Sequence, residues 1–226
     1  MKLLKLLSYF GLSEALVNVC YYTNWSQYRP GLGKFLPENI DPFLCTHINY
    51  AFGFVNEDGT GIKPFEWNDF LDYTDGMYKR VTDLKKINPE LKVLLSIGGW
   101  THGTGNIRIS FRDLRKFDIE KKYKIENNRK TVKKFSGAFT KAARNSDSRQ
   151  TFAENSLAYI KEHNFDGIDV DWEYPGFIDH PTKPGTFPDV ENHVRLLEKL
   201  KEVFKIDGKM VTAAVGAAPS RVQGES

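Results

Sequence analysis

Phe165-Asp166-Gly167-Ile168-Asp169-Val170-Asp171-Trp172-Glu173-Tyr174-Pro175 is the stretch on which the reading of this chain turns. Side chains of an extended strand alternate between its two faces. Asp169, Asp171 and Glu173 therefore share one face, and Ile168, Val170 and Trp172 share the other. Three acids on one face of an otherwise apolar strand are costly unless that face lines a polar site. Neighbouring acids lie about 6–7 Å apart at their Cα atoms. Carboxyls this close do not all ionise cheaply, so at least one pKa is expected to rise. The last acid falls at the C-terminal end of the strand, where α/β barrels carry their chemistry. The spacing predicts a protonated Glu173 as general acid with Asp171 as its charge partner. Trp172 and the aliphatic face argue against an exposed edge strand. Residue types alone also leave a cation site open, because carboxylate oxygens suit Mg²⁺ or Ca²⁺.

Outward from this strand, short apolar runs alternate with helical stretches. Val17–Tyr22, Thr46–Phe52, Lys92–Ile97 and Met210–Val215 read as further strands. Lys79–Lys86, Ser148–Glu162 and Val190–Phe204 read as helices, the first stopped by Asn88-Pro89. Strands alternating with helices predict an α/β fold, either a parallel sheet or an α/β barrel. No internal repeat and no interdomain linker is visible.

The composition is that of a globular protein. Of 226 residues, 40% are hydrophobic and 27% charged, which excludes collagen-like, mucin-like and largely disordered chains. No apolar stretch approaches the roughly 18–20 residues of a membrane span. A net charge of +3 is too small to argue for nucleic acid. The charge is also uneven: residues 106–134 hold eleven basic and four acidic side chains, inside an otherwise mildly acidic chain. That segment lacks the Gly and aromatic interleaving of an RNA patch and the clean amphipathic face of a membrane helix. The two cysteines, Cys20 and Cys45, are spaced neither as a zinc finger nor as a CxxC pair, and their residue pattern leaves free thiols or one disulfide open. Residues 1–15 read as a short, weak secretory signal. Asn24-Trp25-Ser26 is a glycosylation sequon, expected to go unused because it follows a buried strand.

The acid strand resembles the chitinases of glycoside hydrolase family 18. Their Asp-x-x-Asp-x-Asp-x-Glu pattern is complete here as Asp166, Asp169, Asp171 and Glu173. Val19-Cys20-Tyr21-Tyr22-Thr23-Asn24-Trp25 is similar to the family's first strand, and Cys45-Thr46-His47-Ile48-Asn49-Tyr50-Ala51-Phe52 to its second. Leu94-Leu95-Ser96-Ile97-Gly98-Gly99-Trp100 resembles the third, with its Ser-x-Gly-Gly motif. The resemblance implies a TIM (β/α)8 barrel and hydrolysis of β-1,4-linked N-acetylglucosamine polymers, without metal or cofactor. The family is substrate-assisted, outside the usual two-carboxylate scheme. Carried over, Glu173 protonates the glycosidic oxygen, Asp171 orients the substrate's acetamido group, and Asp169 shares a proton with Asp171. Asp166 is expected to be structural. Tyr21, Trp25, Phe52, Gly98, Gly99, Trp100 and Tyr174 are expected to contact sugar. A Cys20–Cys45 disulfide, secretion to the extracellular space, a monomeric state, and chitin or chito-oligosaccharides as partners, with no nucleic acid and no membrane, are also implied. The alternative on the same fold is a chitin-binding lectin; such lectins generally lack the acid that Glu173 supplies.

Two departures from that pattern stand out. Only five of the eight strands of such a barrel can be placed, so residues 16–226 read as a barrel truncated after about strand 5. The Met-x-Tyr-Asp set of the sixth strand and the late Trp of the cleft floor have no counterpart. Residues 106–134 read as an atypical basic insertion, either translated intron or an added loop. The intron reading is preferred because Gly105 runs naturally onto Lys134-Phe135. The chain then reads as an incomplete gene model of an active enzyme, and an inactive fragment is the alternative if it stands as written.

Overall fold

The computed structural model describes residues 16–71, 75–102, 137–176 and 187–217. The expected signal at 1–15 and the basic segment at 106–134 lie outside these residues. In chain order the elements are β1 (Val19–Thr23), β2 (His47–Val55), β3 (Ile62–Pro64), α1 (Met77–Thr82), β4 (Lys92–Gly98), α2 (Ala138–Ala143), α3 (Ser146–Glu162), β5 (Gly167–Asp171), α4 (Phe187–Lys205) and β6 (Met210–Ala213). Five strands form a parallel sheet in the order β1-β2-β4-β5-β6, and β3 pairs antiparallel with β2. This is the expected α/β architecture: successive strands of a (β/α)8 barrel, carried through five of them.

The sheet is rolled rather than flat. The Tyr21 hydroxyl of β1 donates to Asp169 Oδ2 of β5 at 2.8 Å, although β2 and β4 lie between those strands. In a flat sheet the two strands would stand about 14 Å apart, with side chains projecting side by side. Curvature brings the interior faces of β1 and β5 together across a chord.

The outer face carries the apolar core. Ile168, Val170 and Trp172 pack with Phe139, Phe152, Ile160, Leu196 and Leu200 from the helices. Trp172 is 1% exposed, and its ring lies parallel to Phe139 with centroids 5.1 Å apart. Helix α3 starts cleanly because Asn145 caps it: its side chain accepts from the Ser148 N–H, and the Ser148 hydroxyl oxygen accepts from the Asn145 N–H. The Cys20–Cys45 disulfide is formed, tying β1 to the chain entering β2.

Several local expectations change. The first strand begins at Val19, and Val19 and Tyr21 are exposed. An apolar run was read as burial, but β1 has no outer neighbour among the described residues. The expected helix over 79–86 divides into α1 and a 3-10 turn, Asp83–Lys86. The β2–β3 hairpin was not expected, although Asp58-Gly59 is a turn signal: Asn56 N–H donates to Gly61 O at 2.8 Å, and Gly59 takes a positive φ of 81°. Helix α2 also went unread, being only six residues long.

Close backbone approach holds β5 in the sheet. A Cβ on Gly167 would lie 2.3 Å from the Met210 carbonyl oxygen of β6. A Cβ on Gly208 would meet no atom within 4 Å, and its cost is that of φ +63° alone. Gly167→Ala is therefore expected to destabilise by about 3 kcal/mol or more, and Gly208→Ala by about 1–2 kcal/mol. Urea denaturation of the two variants checks this; equal losses would contradict the close approach.

Candidate active site

The four acids of the motif sit in four different environments. Asp166 lies at the foot of β5, at the opposite end from Glu173. Its carboxylate accepts the Val93 N–H at 2.8 Å and pairs with Lys85 Nζ at 3.0 Å. Its own N–H donates to Val93 O at 2.7 Å. These bonds fix the register of β5 against β4.

Asp169 is buried on the inner face. It accepts hydroxyl hydrogen bonds from Tyr21 at 2.8 Å, Ser96 at 2.8 Å and Thr212 at 2.7 Å. The donors come from β1, β4 and β6, so this one carboxyl joins three other strands inside the rolled sheet. The Tyr21 phenol is pushed well above its ordinary pKa, first by burial and then by the charge of Asp169. It therefore stays protonated and keeps donating.

Asp171, the last residue of β5, is also buried and is hydrogen-bonded to Glu173. Burial, then the charges of Glu173 and Asp169, push its pKa up to about 7. Crowding was expected to raise a carboxyl pKa on this face; at Asp171 burial is the larger cause and the neighbouring charges add to it. Glu173 follows two residues beyond the end of the strand and is partly exposed. The Glu173–Tyr174 peptide bond, just beyond the end of β5, and the Ala51–Phe52 bond, within β2, are both cis.

The Ser-x-Gly-Gly motif fits its neighbours closely. Gly98 has φ +115°, and a Cβ there would lie 2.2 Å from the Asp171 carbonyl oxygen. Gly99 has φ +78°, its N–H donates to that same oxygen at 2.8 Å, and a Cβ would lie 2.6 Å from the Phe52 ring. Both glycines thus position other site residues: Gly98 lets Asp171 approach, and Gly99 makes room for Phe52. The Phe52 ring stacks on Trp25 with centroids 5.9 Å apart. Trp25 is 37% exposed and Trp100 53%. Tyr174 is half-buried, directly after the acid. An aromatic wall with open faces therefore adjoins the carboxyl pair.

Three contributors went unread in the sequence. Thr212 was marked by its place as the one hydroxyl in the apolar run Met210–Ala213. Trp67, 75% exposed, sits in the aromatic stretch Phe65-Glu66-Trp67. Asp69, fully buried, had no visible signal, because its partners Tyr50 and Asn24 are distant in sequence. The sequon asparagine Asn24 is buried and donates to Asp69, leaving no room for a glycan. Among the described residues no group of three or more His, Cys, Asp or Glu side chains is arranged to hold a metal ion, and no helix is long and apolar enough to cross a membrane.

Residues 17–225 match the model of the glycosyl hydrolases family 18, and the chain belongs to that family. It is 39% identical over 216 residues to an endochitinase of Brugia malayi, covering 92% of this chain and 34% of the relative. Its fold is similar to the Group IV chitinase of Ostrinia furnacalis, with TM-score 0.68 and 36% identity over 91% of this chain and 45% of that one. It is also similar to human YKL-39, a pseudo-chitinase with retained chitooligosaccharide binding, with TM-score 0.64 and 28% identity over 92% of this chain and 46% of that one. The chain thus spans about a third of the Brugia enzyme and less than half of each solved chain.

A raised carboxyl pKa has a thermodynamic sign. Below the ordinary value of 3.8, Asp171 is protonated in folded and unfolded chains alike. As pH rises toward about 7 the unfolded chain releases this proton and the folded one keeps it, so stability falls. Asp171→Asn removes that dependence. Its stability relative to the parent is expected to rise between pH 4 and pH 8 by several kcal/mol, on the order of 4 for a shift of about three pH units. Denaturation curves at both pH values check this, and a difference that does not move with pH would contradict it.

Proposed function

We propose that this chain is part of a chitinase catalytic domain, hydrolysing β-1,4-linked N-acetylglucosamine polymers by substrate-assisted, retaining catalysis. The observation that carries the reading is the hydrogen-bonded Asp171–Glu173 pair at the C-terminal end of β5. Glu173, on the open side, protonates the glycosidic oxygen. The carbonyl oxygen of the substrate's own acetamido group attacks the anomeric carbon from the opposite face. Water then opens the cyclic intermediate, so the configuration is retained. Asp171 turns from Glu173 toward the acetamido nitrogen and orients it, sharing its proton with Asp169. A carboxyl whose pKa lies near 7 suits this work, because either protonation state is within reach at neutral pH. Asp166 serves the strand and not the reaction. Sugar faces stack on Trp25, Phe52 and Trp100, with Tyr21 and Tyr174 beside the reacting unit; aromatic faces remove apolar sugar area from water.

Several features support the surrounding claims. The Brugia and Ostrinia relatives are chitinases, and other solved relatives are described with chito-oligosaccharides bound. The disulfide suits an oxidising compartment and supports secretion. The lectin reading, suggested by the likeness to YKL-39, is disfavoured by Glu173 itself.

Replacing that acid is the direct test. Glu173→Gln is expected to lower hydrolysis of chitotetraose by about 10²–10⁴-fold, with the affinity for the oligosaccharide nearly unchanged. Turnover near that of the parent would overturn Glu173 as the acid. Chelation by EDTA is expected to leave the rate unchanged.

A further inference from the structure

A carboxyl buried away from the reaction needs a physical reason, because desolvating it is costly unless it is well paired. Asp69 is such a group. It is 0% exposed, and burial pushes its pKa up to about 6. Its carboxyl collects donors from three separate parts of the chain. Oδ2 accepts the backbone N–H groups of Phe65 at 3.0 Å and Glu66 at 2.8 Å, within its own loop. Oδ1 accepts the Tyr50 hydroxyl of β2. Asn24 Nδ2, from the 3-10 turn Asn24–Tyr28, lies 3.4 Å from Oδ1 and 3.5 Å from Oδ2, and 3.4 Å from the Phe52 carbonyl oxygen. The backbone carbonyl of Asp69 also accepts the Tyr78 N–H of α1 at 3.0 Å.

The segments joined this way are those that carry the exposed aromatic rings. The loop presents Trp67, the turn presents Trp25 and Tyr28, and β2 presents Phe52. A second, outer set of contacts joins the same two segments. The Tyr28 hydroxyl donates to Glu66, the residue before Trp67, at 2.9 Å, and the Asn68 and Gln27 amides pair at 2.7 Å. Phe52 lies against Gly99, next to the reacting carboxyls. Trp25 stacks on Phe52, and Tyr28 of the same turn is hydrogen-bonded to the loop that carries Trp67.

We propose that Asp69 is a positioning residue for the sugar chain: by holding the Phe65–Asp69 loop to the Asn24–Tyr28 turn and to β2, it aligns Trp67 and Tyr28 with Trp25 and Phe52 as one wall for sugar units remote from the cleaved bond. This rests on the chitinase reading and extends it to substrate length. Asp69 touches no reacting atom, so its loss acts mainly on the outer units. An asparagine at 69 keeps the shape but places an amide N–H₂ where either two backbone N–H groups or the Tyr50 hydroxyl now donate.

The test has a sugar-free arm and a sugar arm. In Asp69→Asn without ligand, hydrogen exchange of the Phe65 and Glu66 amides is expected to quicken about tenfold or more, while exchange in β4 and β5 stays as in the parent. Binding of chitohexaose is expected to weaken about tenfold, and binding of chitobiose to change less than twofold. Tyr50→Phe, which removes one donor and keeps the ring, is expected to show the same pattern at smaller size. It stands in should the asparagine variant fail to fold. Trp67→Ala is expected to copy the hexaose loss, and combining it with Asp69→Asn to add little further. Unchanged exchange at Phe65 and Glu66 overturns the clamp. Equal loss for hexaose and chitobiose overturns the length-specific role and leaves a general structural one. A parent protein that binds neither oligosaccharide overturns the chitinase reading and with it the sugar role, and is told apart because it needs no variant.

Discussion

Asp169 gathers the hydroxyls of Tyr21, Ser96 and Thr212 onto one buried carboxyl, and the site rests on that knot. The donors belong to β1, β4 and β6; β4 and β6 flank β5 directly, but a flat sheet would hold β1 too far away to join them. Curvature is what allows the knot, and the knot in turn ties the strands across the curve. It also puts a negative charge beneath Asp171. Burial contributes most to the raised Asp171 pKa, and the charges of Glu173 and Asp169 raise it further. Fold and chemistry are thus set by the same row of side chains.

The glycines turn this row into a site. Gly167 and Gly98 let backbones come closer than a Cβ permits, at Met210 and at Asp171. Gly99 gives its Cβ space to the Phe52 ring, and its N–H holds the Asp171 carbonyl. The strand carrying the acids is therefore fixed by contacts with no side chain on one partner. Such contacts have little freedom to relax, which keeps the carboxyls and the aromatic wall in one frame.

The sequence made the acid face legible because a period of two is unmistakable when three carboxyls alternate with Ile168, Val170 and Trp172. The parallel strands were equally plain, each being a compact apolar run. Edges were not legible: an apolar run looks the same whether or not a neighbour covers it, so β1 was expected to be buried, yet its Val19 and Tyr21 are exposed while Tyr22 is in the core. The short elements β3 and α2 were missed because three and six residues carry almost no periodicity. The role of Gly98 and Gly99 as spacers depends on which atoms face them, and sequence order does not give that. Asp69 was invisible for a related reason. Its meaning lies in Tyr50, Asn24 and two backbone N–H groups that meet it only in three dimensions. The disulfide was open from the cysteines alone, implied by the family resemblance, and present in the fold.

Asp171 titrates near neutrality, held up first by burial and then by the neighbouring charge of Glu173. Carboxyl ¹³C chemical shifts of Asp171, followed by NMR from pH 3 to pH 9, measure this directly. The expected midpoint is about 7, moving downward in Glu173→Gln, where the neighbouring charge is gone. A midpoint near the ordinary 3.8, or one indifferent to Glu173, would contradict it.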